Sequence, residues 1–224
     1  MHIAQQAEDV VWSMVVRAMQ QPNLQHCESA DEEEGMNEDT TQQQHDSLFP
    51  SIENWNCVLK CWSRSTDTDR AFHSYSFLLS WLEWNKQCKN SEEVQSLMTM
   101  DAIIIPSVES FHLVLQSCLV DASDDEDERA REMGPGVAIR LWKEMQDSEI
   151  AVDSGIYYQV IQAICQTSDL PSASFSNRAL AALARVFTKC CKDGMVTPEI
   201  LGLVRATTTE SQFAQLSAKV ESIL

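Results

Sequence analysis

Apolar residues recur along this chain at the spacing of helix faces, and at three places they do so in the same frame. The segments Pro50 to Leu59, Pro106 to Leu115 and Val152 to Ile161 align without a gap, with an aromatic residue sixth in each. From that aromatic the apolar positions fall at i, i+3, i+4 and i+7: Trp55, Val58, Leu59, Trp62; Phe111, Val114, Leu115, Cys118; Tyr157, Val160, Ile161, Ile164. Such a set covers one face of an α-helix. These segments are termed the A helices, and Pro50 and Pro106 mark where an extended connector turns into two of them.

Between the A helices lies a second amphipathic series with the same period, the B helices. Its apolar positions are Ala7, Val10, Val11, Met14; Tyr75, Leu78, Leu79, Leu82; Ala138, Leu141, Trp142, Met145; Leu180, Leu183, Ala184, Phe187. A lone helix pair cannot bury both of its apolar faces, so neighbouring pairs must share one layered core. The expected fold is all-α, an α-solenoid of tandem antiparallel helix pairs occupying 1–224 as one domain. It divides into a lead-in B helix (1–20), an acidic disordered loop (21–49), a helix pair (50–84) and a connector (85–105). A second pair (106–149) carries an acidic insert (121–131), followed by a third pair (152–191) and C-terminal capping helices (195–224). The intervals from Trp55 to Phe111 and from Phe111 to Tyr157 exceed the ~34 residues of a compact helix-pair repeat, so the turns of one edge must hold the surplus. The run Cys190-Cys191-Lys192-Asp193-Gly194 reads as a helix end with glycine as left-handed cap.

Charge narrows the possible partners. The chain holds 16 Lys and Arg against 34 Asp and Glu, a formal charge of −18, which opposes binding to nucleic acid or anionic membrane. Much of the excess sits in two runs, Glu28 to Asp39 and Asp121 to Glu128, which read as solvated loops and leave a mildly acidic body. The eight cysteines have no CxxC spacing and lie mostly on apolar faces, which points to a reducing compartment. Cys57 and Cys61 share a helix face beside Val58 and Trp62 and are expected to be buried thiols. No targeting signal is visible at the first residues, and no apolar stretch approaches the ~20 residues of a membrane span.

The A and B patterns together resemble the pentatricopeptide repeat. Pro50 to Leu59 is similar to that family's A helix, with Trp55-Asn56 where Tyr-Asn is usual. Ala138 to Met145 is similar to its B helix, and Glu149-Ile150-Ala151-Val152-Asp153 to the turn into the next repeat. The resemblance implies single-stranded RNA binding, one base per repeat, in a mitochondrion or plastid. It places the first base-reading position on Asn56, His112 and Tyr158 and the second on Ser107 and Asp153. Asn56 with Ser107 would read a base edge, His112 with Asp153 is an unusual pair, and Tyr158 would stack on a base. The alternative is a protein-protein scaffold that uses the helical surface without RNA. Trp81 and Trp84 at the end of a B helix fit either core packing or a protein-binding hot spot.

Other chemistry is missing from the sequence. There is no Gly-rich phosphate loop, GxSxG elbow, HExxH or metal-spaced Cys/His cluster, and six glycines leave little material for such loops. His26-Cys27 is an isolated pair, not a zinc site. The expectation is a non-enzymatic binding protein with no cofactor, no metal, no small-molecule substrate and no membrane partner.

Overall fold

A computed structural model describes residues 2–20, 49–90, 104–120, 128–148, 150–166 and 177–221. Among the described residues there are nine helices and no strand: α1 (His2–Gln20), α2 (Ile52–Ser63), α3 (Arg70–Asn90), α4 (Val108–Ser117), α5 (Glu128–Asp147), α6 (Ser154–Cys165), α7 (Asn177–Lys192), α8 (Pro198–Thr207) and α9 (Glu210–Glu221). Most of the expected loop at 21–49, with its acidic run and His26-Cys27, lies outside the described residues, as do 91–103 and 121–127.

The A helices α2, α4 and α6 and the C-terminal helix α8 begin alike. Their N-caps, Ser51, Ser107, Asp153 and Thr197, all hold extended backbone. Asp153 Oδ1 accepts the Ile156 N–H at 2.8 Å, and Thr197 Oγ1 that of Ile200 at 3.4 Å. At α2 and α4 the bond runs back to the cap: Ser51 N–H donates to Asn54 Oδ1 (2.8 Å) and Ser107 N–H to Ser110 Oγ (3.1 Å). Both arrangements satisfy donors at a helix start that have no intrahelical partner. At the far end of α7, Gly194 adopts φ +69°. Its N–H reaches Cys191 O at 3.1 Å and Met195 N–H reaches Cys190 O at 3.0 Å, the paired bonds of the left-handed cap that the sequence predicts.

The A helices pack side by side in chain order, α2 on α4 and α4 on α6, with α8 next on α6, and each of α2, α4 and α6 also contacts the helix before it and the helix after it. On the other side α3 packs on α5 and α7 on α9. The result is one continuous apolar cluster running from Ala4 to Leu216. Every predicted A-face residue, from Trp55 to Ile164, is at most 1% exposed. Full burial of a side chain of this size stabilises by about 1.5–3 kcal/mol.

The B helices follow the predicted pattern less closely. In α5 all four expected residues are buried, whereas Val10 of α1 is 59% exposed and Ala4, Val11, Val15 and Ala18 form the buried stripe instead. α3 continues to Asn90, past the expected end of its pair at 84, because Trp81, Asn85 and Cys88 keep one face buried through the extra turn. Asn85 Nδ2 and Trp81 Nε1 both donate to the carbonyl of Ile104, at 2.9 and 2.7 Å, and so fix the extended segment leading into α4. α5 likewise starts at Glu128, inside the expected acidic insert.

Side chains finish the joints between helices. Trp55 stacks on Trp81 with ring centroids 4.8 Å apart and meets the edge of Trp12 at 5.1 Å, joining α1, α2 and α3 through aromatic faces. Gln166 pairs with the backbone of Val120, accepting its N–H at 3.2 Å and donating to its carbonyl at 3.0 Å, so the ends of α6 and α4 are held together. Gly134 lets α5 approach the end of α4, since a Cβ there would lie 2.3 Å from the Cys118 carbonyl oxygen.

Candidate functional site

The candidate base-reading residues lie along the seam between neighbouring A helices. Asn56 is only 5% exposed, and its Oδ1 accepts a hydrogen bond from Ser110 Oγ at 2.7 Å. The amide oxygen expected to face a ligand is turned inward, toward α4. His112 makes the equivalent connection one helix further on: its Nδ1 lies 2.8 Å from Gln159 Oε1 and its Nε2 3.3 Å from Asp153 Oδ2. The expected pair of His112 and Asp153 is therefore in direct contact.

Asn56 and Ser107 are linked only indirectly. Ser110 Oγ accepts the Ser107 N–H and donates to Asn56. Ser110 and Gln159 were missed by sequence reasoning. Ser110 is fully buried, and the visible signal was a small hydroxyl one position before the repeat's aromatic residue. Ser107 and Asp153 serve as helix caps, and Asp153 is exposed enough to reach solvent as well. Tyr158 is half-buried against the core edge. On the exposed rim, Lys60 and Glu109 connect α2 to α4 with an ion pair of 3.4 Å.

A further polar joint ties α6 to α7. The buried Tyr157 donates its hydroxyl to Asp193 Oδ2 at 2.5 Å, and Lys189 is paired with the other oxygen of the same carboxylate. Burial alone would raise the Asp193 carboxyl, but the bonds from Lys189 and Tyr157 and the lysine charge hold it below its ordinary value. Burial, reinforced by Asp193, pushes the Tyr157 hydroxyl upward.

The cysteines divide into two groups. Cys88, Cys118, Cys165 and Cys190 are buried, and burial pushes the Cys118 thiol up to about 12. Cys57 is exposed and Cys61 only half-buried, packed against the edge of the core cluster, which corrects the expectation that both are buried. Among the described residues no three His, Cys, Asp or Glu side chains gather as metal ligands, and no helix is long and apolar enough to cross a membrane.

Two grooves open between B helices that do not pack closely on one another. One, of about 420 Å³, lies between α1 and α3 and is lined by Trp12, Leu79, Glu83 and Trp84. Of the tryptophans singled out in the sequence, Trp81 is fully buried and Trp84 lines this groove half-buried. The other lies between α5 and α7. Comparison of the chain with protein-family models, with curated proteins and with solved structures gave no match.

Proposed function

We propose that this protein is a non-enzymatic helical-repeat scaffold for another protein, its helix pairs stacked as a short α-solenoid. The order of helix contacts supports the stacked reading, because each A helix joins the next and is flanked by B helices before and after it. This keeps the likeness to pentatricopeptide repeats at the level of architecture and drops its RNA ligand.

The observation that carries this choice is Asn56. A base reader has to offer its hydrogen-bonding groups to the ligand, yet Asn56 is buried with Ser110 bonded to its oxygen. His112 is engaged with Gln159 and Asp153. Freeing either side chain would leave a partner in the seam unsatisfied, at a cost of about 1–3 kcal/mol. The charge of −18 adds long-range repulsion of a polyanion. Half-buried Trp12 and Trp84 on a groove wall are the side chains that protein partners use as anchors.

Two measurements on the purified chain test the reading. Panning a displayed random-peptide library should enrich a consensus whose binding is lost in Trp84→Ala. A pool of short single-stranded RNAs should show no retention at low salt. Salt-sensitive RNA binding that Tyr158→Ala abolishes would overturn the scaffold in favour of an RNA reader.

A further inference from the structure

The groove between α5 and α7 has an unusual charge for this chain. Its volume is about 440 Å³, within the range that holds a few side chains of a ligand. Residues one helical turn apart face it from both sides, Glu132, Gly136 and Arg140 from α5 and Arg178, Ala182 and Arg185 from α7. The floor is apolar: Pro135, Ile164 and Ala182 are buried, with Ile139 and Ala179 half-buried beside them. Among the described residues, the rim carries three exposed arginines against the single carboxylate of Glu132. None of the three forms a salt bridge with a described residue. In a protein with 16 basic residues and a net charge of −18, three guanidinium groups without a carboxylate partner among the described residues, around one apolar cleft, form a local reversal of sign.

We propose that this groove docks an acidic peptide segment of a partner protein, with apolar side chains on the floor and carboxylates on the arginine rim. The proposal rests on the scaffold reading and names the chemistry of the partner. Guanidinium groups present paired N–H donors in a plane that matches a carboxylate, so each can hold one in a two-point contact. The apolar floor supplies the burial that an acidic segment needs beyond charge. RNA fits the same groove poorly. Among the described residues, its lining has no aromatic ring on which a base can stack.

The test uses fluorescence anisotropy with the full chain and two labelled probe peptides, one built of Glu-Leu-Leu-Glu repeats and one of Lys-Leu-Leu-Lys repeats, together with a labelled oligouridylate. The acidic peptide should bind, the basic peptide should not, and Arg178→Glu with Arg185→Glu should weaken the acidic peptide at least tenfold. Lys86→Glu, on exposed α3 surface away from the groove, should leave its affinity unchanged. Arg178→Gln with Arg185→Gln replaces the charge reversal if that variant fails to fold, and it should weaken the same peptide. An acidic peptide that fails to bind, or that binds the arginine variants as tightly as the unaltered protein, overturns the groove assignment and leaves the scaffold reading standing. Equal binding of the basic peptide also overturns it. Oligouridylate binding that disappears in the arginine variants overturns the groove and the scaffold together. Oligouridylate binding that the arginine variants retain overturns the scaffold, and the groove assignment that rests on it falls with it.

Discussion

At the scale of single residues, the buried bond between Asn56 and Ser110 separates a structural seam from a ligand-reading face. Ser110 Oγ donates to Asn56 Oδ1 across the α2–α4 joint, in a site where both side chains are buried. Asn56→Ala strands the Ser110 hydroxyl, and Ser110→Ala strands the amide oxygen. Each should destabilise the fold by about 1–3 kcal/mol, because a buried polar group without a partner loses its water as well as its bond. The double variant should cost less than the sum of the two, and urea denaturation of all four proteins measures the coupling. Additive losses would mean that the two groups act separately and that Asn56 is free for another role. The likeness to the pentatricopeptide repeat placed the first base-reading position on the residue after each repeat's aromatic, which is why Asn56 and His112 stood out. It could not show that their partners, Ser110 and Gln159, sit on the neighbouring A helix, since that contact depends on the rotation of one helix against the next.

Among the helices, legibility followed the number of faces each one buries. The A helices showed a clean i, i+3, i+4, i+7 stripe, and every residue of it is buried. α3 gave a blurred signal because it packs on α2, α4 and α5 at once, so Phe77, Leu78, Trp81 and Cys88 span more than one stripe. α1 packs chiefly on α2, and its exposed Val10 looked like a core position. Glycines reveal the spacing that the stripes cannot. Gly134→Ala would place a methyl group 2.3 Å from the Cys118 carbonyl oxygen, and since that atom is backbone, α5 must move away from α4. The expected loss is about 1–3 kcal/mol. Gly202→Ala in α8 meets nothing within 4 Å and should stabilise by about 0.5–1 kcal/mol through helix propensity alone. Denaturation midpoints for the two variants should therefore move in opposite directions, and a neutral Gly134→Ala would mean that α5 does not approach α4 this closely.

For the molecule as a whole, charge and core pull against each other. The apolar cluster runs unbroken from α1 to α9, so the chain gains its stability from a core that all nine described helices share. The same chain carries −18, and compaction brings those charges closer together. Added salt acts on both this repulsion and the favourable ion pairs, so the sign of its effect shows which is larger. Two such pairs among the described residues, Lys60 with Glu109 and Lys189 with Asp193, have at least one well-exposed partner each, and such pairs contribute about 0–1 kcal/mol. The general repulsion should dominate. Raising ionic strength from about 0.01 M to 0.15 M shortens the screening length from ~30 Å to ~8 Å. Relief of about 1 kcal/mol by that change corresponds to a rise of about 2–4 °C in Tm for a domain of this size. Helical circular dichroism during heating at the two salt concentrations measures it. Replacing Glu32, Glu33 and Glu34 with Gln should reduce the rise, because fewer charges then remain to be screened. A Tm that falls with salt would assign the larger share of the electrostatics to the ion pairs at the helix joints.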